Sequence, residues 1–186
     1  MDIILDLGDY KKCRIWIDET PPERSVTDDV ICSSIEANDR TFKVDKRVTV
    51  EVFIAPRHFA CLGFEYLYNN SANLGIHVNI GKDCELVVSS ALALPSDQVY
   101  SGISHEYAPT ILDRSTKEIG KNGEIPSGVL TFKFGAHSDY GSNRAVFKKV
   151  TRILMTIFLN EQSWEDQQLL EQIVRSEMEK SLTSDY

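Results

Sequence analysis

The sequence has no apolar run that approaches the ~20 residues needed to cross a bilayer and no basic or sustained apolar start resembling an export signal. A soluble cytoplasmic protein with no membrane partner is therefore expected. Cysteine is scarce: Cys13, Cys32, Cys61 and Cys84 lie far apart with no C-x-x-C pair, which favours buried, reduced thiols over disulfides or a zinc site. No P-loop and no G-x-G-x-x-G occurs, so no nucleotide site is expected, and the glycines read as turn residues. His58, His77, His105 and His137 have no H-E-x-x-H companion, so neither a metal nor another cofactor is expected. His58 and Cys61, three apart, could meet on a helix but have no third member, and a packed thiol beside a surface imidazole is the preferred reading.

Positive charge is the other shortage. Twenty Lys and Arg face 28 Asp and Glu, a net charge of −8. That disfavours a general electrostatic grip on nucleic acid, which depends on cations neutralising phosphates. The deficit is uneven: residues 73–159 carry +1, against −4 in 1–72 and −5 in 160–186. The near-neutral segment is the expected seat of function, within a chain of 186 residues read as a single domain.

Alternation marks the strands. Cys13, Ile15 and Ile17 alternate with Arg14 and Trp16, and Val48, Val50, Val52 and Ile54 with Thr49, Glu51 and Phe53. Pro21-Pro22 reads as a turn and Val30 to Ile35 as a weaker strand, so 1–72 is taken as an amino-terminal sheet extension. His58 to Tyr68 fits neither the helical nor the strand period. Leu74, Ile76, Val78 and Ile80 form a clear strand, with Glu85 to Ala91 expected as its antiparallel neighbour across Gly81-Lys82-Asp83. Val129 to Phe134 is the next strand, with Leu130, Phe132 and Phe134 on one face, and residues 135–141 read as a turn.

Three-to-four spacing marks two helices in the central segment. One runs from Ser104 through Tyr107, Ile111, Leu112, Ser115 and Ile119, with Pro109 near its first turn and Gly120 as its stop. The other, about Asn143 to Leu159, has an apolar face through Val146, Val150, Ile153 and Ile157. Beside it lies a cationic row of Arg144, Lys148 and Arg152 with Lys149. The row reads either as an ordinary solvated helix face or as a contact for phosphate or an acidic partner. Residues 160–186 contain an acidic amphipathic helix starting at Ser163, with Asp166 completing a capping box, and its stripe of Leu169, Leu170, Ile173, Val174 and Met178 is expected to dock on the parent domain.

Leu74-Gly75-Ile76-His77-Val78-Asn79-Ile80, Glu106-Tyr107-x-Pro109-x-Ile111, Gly128-Val129-Leu130-x-Phe132 and Ala145-Val146-Phe147 succeed one another along the chain. In that order they resemble the fourth domain of elongation factor G and related translation factors, over about residues 73–159. The resemblance implies a two-layer α/β (α+β) sandwich: a mixed, mostly antiparallel sheet with helices on one face and a left-handed βαβ crossover. It also implies that Ala136 to Gly141 is a distal tip, with His137, Ser138 and Asp139 as candidates for contacting RNA or a partner. The sequence departs from the family at Ser104, where a proline usually stands, and at 69–73, which lacks the glycine- and arginine-rich tip.

Function is read accordingly as a non-catalytic binding module, ribosome- or RNA-associated, using His137, Ser138, Asp139 and the Arg144, Lys148, Lys149 and Arg152 face. One alternative is an acidic immunity-type or regulatory protein that binds a basic protein. A second is an enzyme with an unrecognised site, for which the sequence supplies no catalytic residue.

Overall fold

The computed structural model describes residues 1–19, 26–38, 43–81 and 88–182. Among these residues eight strands, β1 (Asp2–Asp6), β2 (Lys11–Ile17), β3 (Thr27–Glu36), β4 (Lys46–Ile54), β5 (His58–Tyr68), β6 (Asn73–Gly81), β7 (Val99–Ser101) and β8 (Gly128–Ser138), form one mixed sheet. Its order is β1-β2-β4-β5-β8-β6-β3, with β7 beside the end of β8. Every pairing is antiparallel except β6 with β8. Helices α1 (Ala108–Asn122), α2 (Arg144–Phe158) and α3 (Gln167–Glu179) complete the α+β sandwich: α1 packs on β6 and β3, α2 on β5 and β4, and α3 on α2. The strands of 1–72 lie on both sides of the β6–β8 pair, in the same sheet.

Burial on both faces explains the segment whose period was unreadable. Residues 58–68 are β5, a central strand in which Phe59, Ala60, Leu62, Phe64 and Tyr66 are all fully buried. A strand covered on both faces loses its alternation and reads as a continuous apolar run. Beneath the helices, Phe158 meets Phe64 edge-on at 5.3 Å and Tyr66 at 5.1 Å. On the opposite face, Trp16, Phe59, Cys61, Val99 and Ala136 form a smaller cluster capped by Val88, Ala91, Leu92 and Ala93. His58 and Cys61, three apart on a strand, point to opposite faces and do not meet.

Several sequence expectations shift. The helix expected from Ser104 begins at Ala108, because the Ser104 carbonyl accepts from Tyr107 N–H and Ala108 N–H in a preceding turn. It runs past Gly120 to Gly123, whose φ of 79° suits the left-handed cap. β8 extends to Ser138, since β7 and β5 recruit residues 134–138 into their ladders, leaving only Asp139, Tyr140 and Gly141 as the turn. Gly63 pairs with Phe134 but Phe64 with Phe132, so Lys133 is an extra residue. That bulge re-aims the next side chain, and Phe134 leaves the Leu130 and Phe132 face to lie within 6 Å of the Lys133 and Arg47 cations.

β6 is flanked by β3 and β8, and residues 88–91 of the expected 85–91 neighbour form no strand; residues 82–87, like Pro21-Pro22, lie outside the described residues. The cap of α3 is Asp166, whose carboxylate accepts from Gln168 N–H and Leu169 N–H at 2.9 and 3.1 Å. Ser163 is buried in a preceding 3-10 turn and donates to Asn160 O. Of the thiols, Cys13 and Cys61 are buried, whereas Cys32 is exposed on β3.

Candidate functional site

The carboxyl end of β8 and the turns beside it form the most organised polar region of the segment singled out from sequence. Asp97 takes Tyr140 N–H and Gly141 N–H on its two carboxylate oxygens at 3.2 and 3.0 Å. Ser138 Oγ also accepts from Gly141 N–H, at 3.0 Å. Ser142 Oγ accepts from Ser138 N–H at 2.8 Å and donates to Phe59 O at 2.7 Å, so the turn is stitched to β5. The consequence is a rigidly held loop whose one large side chain, Tyr140, is 71% exposed.

The start of α2 adjoins that turn. Asn143 accepts from Val146 N–H at 3.0 Å and so satisfies one of the orphan amides of the first turn. Its amide nitrogen lies 3.1 Å from His58 Nδ1, which acts as acceptor if that nitrogen donates. Arg144, the first helical residue, is exposed, as is Arg57 in the turn between β4 and β5. The Arg57 backbone carbonyl packs directly against Gly141, so the β4–β5 turn adjoins the site.

His137 is placed differently from the sequence expectation. It is half-buried in β8, with Nδ1 3.1 Å from Gly102 O, Tyr107 edge-on at 5.9 Å and Tyr100 at 6.1 Å. Burial pushes its pKa below the ordinary imidazole value, against the raising influence of the Gly102 carbonyl and the Asp139 and Glu106 charges. Tyr107 in turn stacks on Phe147 at 4.3 Å, and burial raises its pKa. His137 therefore braces the opening of α1 against α2. Ser138 is buried and structural, whereas Asp139 is exposed and accepts from the Tyr100 hydroxyl at 3.4 Å.

The cationic row divides. Arg144 is exposed and Lys148 half-buried, but Lys149 and Arg152 are buried under α3. Lys149 Nζ donates to Glu177 O and Lys180 O, both at 2.6 Å, satisfying carbonyls at the end of α3. Arg152 Nε is ion-paired with the Glu177 carboxylate, which Lys180 also contacts. These two cations hold a helix in place. Sequence reasoning singled out neither Tyr140 nor Arg57; for Tyr140 the only signal was an aromatic among turn formers.

Two depressions, of about 410 Å³ under residues 88–99 and about 220 Å³ bounded by Asp18, Asp45, Lys46, Arg47, Glu65, Tyr66 and Leu67, contain no histidine. In the second, Lys46 pairs with Asp18 and Arg47 with Glu65. Among the described residues, no group of three or more His, Cys, Asp or Glu is placed to hold a metal ion. Comparison of the chain with family models, with curated proteins and with solved structures returns no match, so the geometry carries the functional reading.

Proposed function

We propose that this protein is a non-catalytic binding module that engages RNA, of the kind a ribosome presents, through the sheet end bearing Tyr140, Arg57 and Arg144. The observation that carries the reading is Tyr140: an aromatic ring 71% exposed on a turn fixed by Asp97, Ser138 and Ser142. An exposed ring on a fixed turn is a stacking platform for an unpaired base, and exposed arginines on the adjoining turn and helix start suit phosphate or a second stack. The resemblance to the fourth domain of elongation factor G supports the same end. Its four matching segments fall in β6, the opening of α1, the first half of β8 and the opening of α2, and the last of these directly follows this turn. Binding by so few cations in a chain of net charge −8 is weak and salt-sensitive.

The test is co-sedimentation with ribosomes at low salt. Association is expected to weaken by about tenfold in Tyr140→Ala, consistent with the loss of one base stack of about 1–3 kcal/mol, and to weaken further in Arg144→Glu. Lys148→Ala is expected to have a smaller effect. No association at low salt, or association indifferent to both Tyr140 and Arg144, rejects the reading.

A further inference from the structure

The two edges of the sheet are treated differently by the sequence. β1, at one edge, is five residues long, and its Asp6 carbonyl accepts from the α3 residue Arg175 at 3.5 Å. β3, at the other, is ten residues long and has no strand on its outer side among the described residues. Natural edges are commonly blunted by shortness, by lysine or by proline. Residues 26–38 contain no lysine, arginine or proline, and Val30 and Cys32 stand exposed. The single bulge, at Thr27/Asp29, touches only the first residues.

β3 is also held ready. It pairs with β6 in register from Asp29 to Glu36. Just beyond it, Asn38 is fastened to the α1–β8 connection: its side chain donates to Gly123 O at 2.8 Å and accepts from Ile125 N–H at 2.7 Å. Ser33 Oγ lies 3.3 Å from Thr116 Oγ1 on α1, and Ile31 and Ile35 pack half-buried against the core beside Leu112. A strand added here meets a fixed ladder of alternate outward N–H and C=O groups, save that Val30 N–H is already held by the Asp29 carboxylate at 2.8 Å, and on the helix side it meets half-covered apolar residues. Little ordering of this chain is required for that addition.

Charge selects the occupant. The strand carries Asp28, Asp29 and Glu36, all exposed, with no cation among residues 26–38. A second copy pairing antiparallel about the strand's centre would set Asp28 and Asp29 near Glu36 of the other copy, and like charges across a ladder are destabilising. A segment with lysine or arginine at its ends meets opposite charge at both. We propose that the outer edge of β3 is a strand-addition site for an extended, β-branched segment of a partner protein bearing lysine or arginine at each end.

The probe is a ten-residue peptide of alternating Val and Thr with two Lys at each end, titrated into the isotope-labelled intact protein while backbone amides are followed by NMR. The Lys-ended peptide is expected to shift amide signals across Thr27–Glu36 and slow their hydrogen exchange, and a Glu-ended counterpart to leave them unchanged. The pair Asp28→Asn and Asp29→Asn is expected to weaken binding by about twofold to tenfold, the range for two exposed ion pairs. Tyr140→Ala is expected to leave it intact, which separates this site from the RNA reading. Three results overturn the proposal: no shift in β3, equal binding of both peptides, or β3 protection that grows with protein concentration alone and so identifies a second copy.

Discussion

Gly141 occupies the tightest point of the β8–α2 turn, where a Cβ would stand 2.1 Å from Arg57 O and 2.8 Å from Ser138 Oγ. Its own carbonyl accepts from Phe59 N–H, so retreat from the clash breaks the stitching to β5. Gly141→Ala is expected to destabilise the protein by about 1–3 kcal/mol, the usual penalty of overpacking a closed site, read as a lower urea midpoint. The same substitution is expected to loosen Tyr140, because both depend on the Asp97 carboxylate. An unchanged midpoint would mean that the turn yields freely. At this scale the sequence was only partly legible: glycine, serine and aspartate announced a turn, but not that Asp97 reaches it from more than forty residues away. Nor could the period of β8 show that the extra Lys133 turns Phe134 to the other face.

α3 is held to α2 by an apolar stripe, Leu170, Val174 and Met178, and by a buried polar cluster of Lys149, Arg152 and Glu177. Removing one partner of a buried ion pair strands the other and costs about 3–5 kcal/mol, whereas replacing both with apolar groups is often neutral. Glu177→Ala is therefore expected to lower stability by an amount in the low end of that range, since Arg152 is 8% exposed and can partly rehydrate. Arg152→Met together with Glu177→Leu is expected to recover most of it, measured by urea unfolding; no recovery would mean that Glu177 acts apart from Arg152. The contrast between elements shows what patterning can convey. α2 was legible because its apolar face and Asn143 cap are local, and β6 because one of its faces is less covered. β5 was not, being buried on both faces, and β1 was too short to display a period. The role of Lys149 and Arg152 depends on a helix end 25 and more residues distant, so from α2 alone the row looked like free positive charge.

Across the whole molecule, three titrating groups bias stability in one direction. His137 is driven below the ordinary imidazole value of 6.5 by burial. Asp2 is held below 3.8, chiefly by its hydrogen bonds with Arg14. Glu65 would be raised by burial, but hydrogen bonds from Arg47 and Lys133 override this and hold it below 4.5. In each case the folded state binds its proton less readily than the unfolded chain, so unfolding takes up protons and stability falls as pH falls. For His137 the contribution is complete above about pH 6.5 and is lost from there down to its depressed folded value. For Glu65 and Asp2 the loss begins only below about 4.5 and 3.8 and ends at their own lowered values. The urea midpoint at fixed ionic strength is accordingly expected to be level near pH 8, to decline from about pH 6.5, and to decline again below pH 4.5. His137→Phe keeps an aromatic between Tyr100 and Tyr107 and removes the proton site, so it should flatten the first decline and leave the second. Glu65→Gln should do the reverse, with Asp2 sustaining what remains below pH 4. A first decline that persists in His137→Phe would move the acid sensitivity of the Tyr107 and Phe147 junction to another group.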